Sequence, residues 1–245
     1  QPSLTGKTED WDGSSWTEKG DLNDPTRDGG GTGSYNSALS GGGDPGGVTD
    51  NAETWNGSSW TAITEMGQAR EGLGMAGTSN SAVIAFAGGP TTDSQLWNGS
   101  SWNEIADVNN PRKFGAGVGS STSAVYYGGQ DPGQTGKTET WDGTSWAEQS
   151  DLNTVRASLG GSGTSKDDAL AFGGFAPAPS KKNETEKWNG TSWTELNNLG
   201  TARNGGGAAG QSSTGAIYAG GDIATGYTAA AEEFTTSLAN KTITA

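Results

Sequence analysis

Cysteine and histidine are both absent from this chain of 245 residues. Without thiols there is no disulfide framework and no thiolate metal site; without imidazole there is no His-dependent triad, imidazole zinc site or His proton shuttle. Most familiar enzyme designs are thereby removed, and no catalytic residue, metal ligand or cofactor is assigned. Cations are scarce as well: 14 Lys and Arg stand against 28 Asp and Glu, a formal charge of -14. Nucleic acid is bound by clustered Lys and Arg that release phosphate counterions, so it is not an expected partner. No apolar run nears the roughly 20 residues that span a bilayer, and the residues from Gln1 onward show no basic-then-apolar signal pattern. The expectation is a soluble chain with no membrane insertion, and such acidity suits an extracellular or salty setting.

Hydrophobic residues make up only 30% of the chain, which is poor for a helical core, and glycine is abundant at 43 residues. What is present instead is tryptophan in a fixed pattern. The boxes "WDGSSW", "WNGSSW", "WNGSSW", "WDGTSW" and "WNGTSW" begin at Trp11, Trp55, Trp97, Trp141 and Trp188 and end at Trp16, Trp60, Trp102, Trp146 and Trp193. They contain all ten tryptophans, and the box starts are 44, 42, 44 and 47 residues apart. A period of this length with Gly-Gly and aromatic landmarks predicts a β-propeller with four strands per repeat. In the unit from Arg156, "RASLGGSGTS" reads as strand a, "DDALAFGG" as b, "NETEKWNG" as c and "TSWTEL" as d. Asn-Gly or Asp-Gly between the tryptophans predicts a c–d hairpin with a type I′ turn.

The repeated positions invite structural and functional readings side by side. Both tryptophans of a box are placed to pack between blades, each contributing on the order of 2–3 kcal/mol by burial; the alternative is a set of platforms stacking on sugar rings. Asn56, Asn98 and Asn189, with Asn183 and Asn240, also spell glycosylation sequons, yet Asp12 and Asp142 replace Asn in two boxes, which turn chemistry tolerates and glycosylation does not. Arg27, Arg70, Arg112, Arg156 and Arg203, all the arginines there are, stand just before strand a. Glu9, Glu53, Gln95, Glu139, Glu186 and Glu232 lie two residues before the first box aromatic, Phe234 replacing Trp in the last copy, and so share its strand face. These two sets predict a repeating polar ring, with an anion-binding ring at the channel mouth as the rival. The pairs Gly42-Gly43, Gly88-Gly89, Gly128-Gly129, Gly173-Gly174 and Gly220-Gly221 close strand b with a sharp exit.

An Arg before strand a, an apolar strand b ending in Gly-Gly, then an aromatic and a Trp resemble kelch-type repeats over nearly the whole chain. The W-[ND]-G-[ST]-S-W box, with "DLN" after it at Asp21 and Asp151, is similar to propeller arrays in structural and tail proteins of marine bacteriophages. The resemblance implies a virion-surface location, with other virion or fibre subunits and a host-surface glycan or protein as partners.

The expected fold is therefore an all-β propeller over residues 1–234, with 235–245 a degenerate last strand or tail. Five blades are favoured, closed by the N-terminal hairpin joining the a and b strands near Gly205 to Gly221; in the six-blade alternative that hairpin belongs to a blade whose inner strands lie upstream. Function is placed on the variable b–c and d–a loops, since a rigid ring carries recognition there. Asp44, Thr91, Asp93, Gln134, Phe175, Lys181, Lys182 and Tyr227 are the candidate ligand-binding residues. Acidic groups at Asp21, Asp24 and Asp28 and at Asp167-Asp168 read as solvated surface rather than calcium ligands. A non-catalytic binding or structural module is expected, against two alternatives: an interaction propeller acting inside or on a cell, and a carboxylate-dependent carbohydrate enzyme.

Overall fold

The computed structural model describes residues 4–177, 180–212, 214–235 and 241–243. The expected tail and the Asn240 sequon therefore fall largely or wholly outside the described residues. The chain is all β, with five four-stranded antiparallel sheets arranged as a propeller. Strands a to d of blade 1 are Gly30–Ser34, Ser37–Gly41, Ala52–Trp55 and Trp60–Ala62; those of blade 2 are Gly74–Gly77, Val83–Phe86, Ser94–Trp97 and Trp102–Glu104. Blade 3 has Ala116–Ser120, Ser123–Tyr127, Thr138–Trp141 and Trp146–Gln149, and blade 4 has Gly160–Ser165, Asp168–Phe172, Thr185–Trp188 and Trp193–Glu195. Blade 5 consists of Gly207–Ser212, Gly215–Ala219, Ala231–Thr235 and Lys241–Ile243.

This last blade corrects the expected closure. Its c and d positions are filled from its own end of the chain, with Ala216 opposite Phe234 and Glu232 opposite Thr242. The N-terminal hairpin, Glu9–Trp11 with Trp16–Glu18, stands as a separate two-stranded sheet. Strand c of a blade needs partners on both edges, and the Ala231–Thr235 strand already supplies blade 5 with one.

The box turn also differs from expectation. The two tryptophans of a box face each other directly, as in Trp141↔Trp146, leaving a four-residue loop. Only its glycine is left-handed, at φ 90–96°. The Asx side chain stabilises the rest: Oδ1 of Asn56 accepts the amides of Ser58 and Ser59 at 2.9 and 3.0 Å, and Oδ1 of Asp12 accepts those of Ser14 and Ser15 at 2.7 and 2.8 Å. Oδ1 is common to Asp and Asn, so the two exchange freely.

Four hydrophobic clusters lie between successive blades. Leu39 meets Met75, Val83 and Trp97 between blades 1 and 2; Ile84 and Phe86 meet Tyr126, Trp141 and Trp146 between 2 and 3. Val125 and Tyr127 meet Ala169, Trp188 and Trp193 between 3 and 4, and Leu170 and Phe172 meet Tyr218 and Phe234 between 4 and 5. Both tryptophans of blades 2, 3 and 4 thus face the preceding blade. The first anchors its own a–b turn, as when Trp188 Nε1 donates to Lys166 O at 2.8 Å. The second meets the preceding strand b edge-on, Trp146 against Phe86 and Trp193 against Tyr127, both at 4.8 Å. A residue from each blade-to-blade linker, Met66, Val108, Leu152 or Leu199, plugs these clusters.

Backbone bonds reinforce the same seams. The amides of Gly43, Gly88, Gly129 and Gly174 donate to the carbonyls of Arg70, Arg112, Arg156 and Arg203 in the following blade at 2.8–3.0 Å. Glycine suits the strand exit in blades 1, 3 and 4, where a Cβ on Gly42, Gly128 or Gly173 would stand 2.6–2.7 Å from the carbonyl oxygen of Arg70, Arg156 or Arg203, respectively. In blade 2 Ala87 takes that position at φ 56°, one residue ahead of the expected Gly-Gly, and Gly88 and Gly89 follow it in the left-handed region at 91° and 62°.

Candidate functional site

In blades 2 to 5 a buried lock lies between the linker and strand c of the blade it enters. Arg112, Arg156 and Arg203 ion-pair with Glu139, Glu186 and Glu232 at 2.5–2.9 Å. The same carboxylates accept the linker: Glu139 and Glu186 each receive the backbone amide and Nδ2 of an asparagine, Asn109 and Asn153. Further guanidinium nitrogens donate to backbone carbonyls, such as Gly173 O at the strand b exit, 2.9 Å from Arg156 Nη1, while the buried Nε of Arg70 and of Arg156 has no hydrogen-bond partner. In blade 2 the partner is neutral, Gln95 Oε1 accepting from Arg70 at 3.1 Å. Burial pushes the pKa values of Arg70 and Arg156 down, with nearby carboxylates opposing it. These four guanidiniums are fully buried and already paired, so they do not form an anion-binding ring. Each is a lock within its blade rather than a link in a continuous ring.

Arg27 departs from this set. Asp28, Gly72, Phe114, Ser158 and Gly205 are the left-handed residues that open the five blades, and the lock arginine is two residues before each of the last four. Thr26 holds that register in blade 1, and Arg27 stands one residue too late. Its half-exposed guanidinium turns instead to Asp44. Glu53 keeps its linker bonds, from the Asn23 amide at 3.1 Å and the Asp24 amide at 3.0 Å. Beside it is a cavity of about 10 Å³ lined by Thr26, Asn51, Glu53 and the strand b exit, the room of about one water molecule.

The loop-face candidates divide into framework and surface. Thr91 Oγ1 accepts the amide of Asp93 at 3.1 Å, a bond that Thr49, Thr135 and Thr228 repeat with the residue two ahead. Asp93 O accepts Arg70 at 2.8 Å, and Lys182 O accepts the amide of Arg203 at 3.0 Å. Lys182 Nζ reaches Glu184 at 3.4 Å, Gln134 pairs with Gln130, and Asp44 Oδ1 caps Gly46. These groups are tied into their own loops.

Phe175, Lys181 and Tyr227 lie on two small hairpins that extend the loops of blades 4 and 5: Phe175–Ala176 with Ser180–Lys181, and Asp222–Ile223 with Gly226–Tyr227. Lys181 Nζ joins them, 2.7 Å from Asp222 Oδ1 and 2.5 Å from Ile223 O. Phe175 and Asp222 also bridge to Ala157 and Asn204 at the blade entrances. Tyr227 opposes Asp222 in register and is 75% exposed. Asp222 and Ile223 were not among the residues expected at a site; "DIATGY", apolar and aromatic residues around a Thr-Gly turn, is the hairpin signal that marks them.

A central channel of about 600 Å³ runs between glycine-rich a strands from all five blades and is lined by Thr32, Thr78, Ser162 and Thr164. Tyr35, at the a–b turn of blade 1, lies on its rim and is 67% exposed. Among the described residues no group of three Asp or Glu side chains is gathered to hold a metal ion. Neither a family model nor a curated protein matches the chain.

Proposed function

We propose that the chain is a non-catalytic binding and structural module of a virion tail or fibre, which recognises a host-surface glycan or protein through its b–c loop face. The observation that carries this reading is the paired hairpin surface of blades 4 and 5. There an exposed Tyr227 stands on backbone held by the Lys181–Asp222 ion pair and by bridges to the blade entrances. An aromatic presented on an ordered support offers contact area at little conformational cost, which is how recognition surfaces concentrate affinity. The bacteriophage-like Trp boxes support the same assignment of context.

The test is binding of the purified chain to glycan and host-surface protein arrays, compared with Tyr227→Ala, Lys181→Ala and Tyr35→Ala on the opposite face. Tyr227→Ala is expected to weaken capture by about tenfold or more, as a hot-spot aromatic does, while Tyr35→Ala leaves it unchanged. Equal binding by all variants would sink the assignment of this face. Turnover of a captured glycan would replace it with the carboxylate-enzyme reading.

A further inference from the structure

The N-terminal hairpin is half of a blade. Its relation to blade 1 repeats, bond for bond, the relation of the blade 3 outer hairpin to blade 4. Trp60 Nε1 donates to Thr8 Oγ1 at 2.8 Å, as Trp193 Nε1 does to Thr138 Oγ1 at 3.0 Å. The amide of Leu22 donates to Gly6 O at 2.8 Å, as that of Leu152 does to Gly136 O at the same distance. Asn23 Nδ2 reaches Trp60 O and Asn153 Nδ2 reaches Trp193 O, each at 3.2 Å. The hairpin therefore sits at the c–d position of a blade preceding blade 1.

The inner positions of that blade are the seam between blades 5 and 1. Every other strand c pairs on both edges, whereas Glu9–Trp11 pairs only with Trp16–Glu18 among the described residues. The four apolar clusters cover the other seams, and none among the described residues joins blade 5 to blade 1. A chain of backbone bonds runs from Asp28 O through Gly72, Phe114 and Ser158 to Gly205, and among the described residues it does not return to blade 1. On the blade 1 side, the channel reaches Ala38, Ser40 and Trp60, whose counterparts Ala124, Tyr126 and Trp146 are buried.

We infer that this seam is a docking slot for a two-stranded hairpin of the repeat's own a–b type, supplied by another polypeptide segment of this repeat class. Its first strand would be glycine-rich, lining the channel. Its second would pair with Glu9–Trp11 by strand addition and lay alternate side chains on Ala38, Ser40 and Trp60, ending in a left-handed Gly-Gly. The chain offers its own template, because "GKTEDWDGSSW" from Gly6 is almost "GKTETWDGTSW" from Gly136, whose b strand is "SAVYY".

The experiment uses a synthetic peptide copying residues 112–130, added to the chain, and in parallel a fusion of residues 112–129 ahead of Gln1. Hydrogen exchange reads the amides of Glu9–Trp11 and tryptophan emission reads Trp60. The slot predicts exchange slowed by about tenfold or more in the peptide complex or the fusion, with emission shifted to the blue and no response to a scrambled sequence. If the folded fusion, judged by an unchanged far-ultraviolet spectrum, leaves these amides as fast as before, and the peptide does too, the inference is overturned. Equal slowing by the scrambled sequence overturns it as well. So does protection of the same edge in the chain alone with a dimeric mass in sedimentation, which would make a second copy the occupant.

Discussion

Residues 6–16 and 136–146 carry nearly the same sequence and make the same hairpin with the same bonds to the linker that follows, yet their surroundings differ. In blade 3, strand b pairs with the second copy and the sheet of blade 2 covers its tryptophans, so that Glu139, Trp141 and Trp146 are 0%, 2% and 7% exposed. In the first copy Glu9 is exposed and Trp11 and Trp16 are only partly buried. Local sequence thus builds a hairpin wherever it occurs, while a neighbouring sheet decides whether its tryptophans become core. The same contrast separates the four packed seams from the one between blades 5 and 1.

The sharpest way to break this comparison is to cut a lock at a packed seam. Arg156→Ala leaves Glu186 buried without its cation, and a loss of about 3–5 kcal/mol in urea denaturation is expected. Arg27→Ala, whose partner Asp44 lies at the surface, should leave the midpoint unmoved; equal effects would abolish the distinction between the two kinds of arginine. Next in size is Tyr127→Phe. It removes the 2.7 Å bond to Leu170 O across the seam of blades 3 and 4 and should cost about 1–2 kcal/mol, the penalty of a buried acceptor left unmade.

Blade 1 can be moved the other way. Thr26→Arg combined with Arg27→Ala places a guanidinium at the register used by the other blades, facing Glu53. A gain on the order of 1 kcal/mol in the same denaturation assay is expected, and a loss would mean that the blade 1 socket does not accept the lock.

The smallest effect is in the box turns. The Ser14 hydroxyl and the amides of Ser15 and Ser14 hold the Asp12 carboxyl down at about 2, below its ordinary 3.8; amides of Ser145 and Thr144 also lower that of Asp142. A depressed carboxylate pKa stabilises the fold above the unfolded value and loses that contribution as pH falls through the folded one. The turns at Asp12 and Asp142 should therefore loosen on acidification through this range while those at Asn56, Asn98 and Asn189 do not, as followed by amide shifts in a nuclear magnetic resonance titration. Identical behaviour of Asp and Asn boxes would remove the carboxylate from the account.

Much of this was legible in the sequence, and the misses have physical causes. Strand order and blade count follow from the spacing of Trp, Arg and Gly-Gly. The arginine of blade 1 was misassigned because counting aligns Arg27 with its fellows, whereas the lock depends on distance from a left-handed residue, and Asp28 does not announce itself as one. The turn type was missed because Asn-Gly suits a two-residue loop, but Trp–Trp pairing across the strands leaves four residues between them. For the candidate surface, Phe175, Lys181 and Tyr227 were visible as loop residues; their grouping required Lys181 to reach Asp222 in the next blade.

By itself the sequence determined the local units: alternation set which side chains share a strand face, Asx-Gly set the box turn, and Gly-Gly set the strand exits of every blade but the second, where Ala87 takes the first position. These are short-range preferences of backbone and side chain, settled within a few residues. Only the tertiary structure decided which tryptophans are core, which arginine lies outside the lock, and which seam stays open. Those outcomes depend on small rotations accumulated from blade to blade and on the presence of a covering sheet, quantities that no single repeat contains.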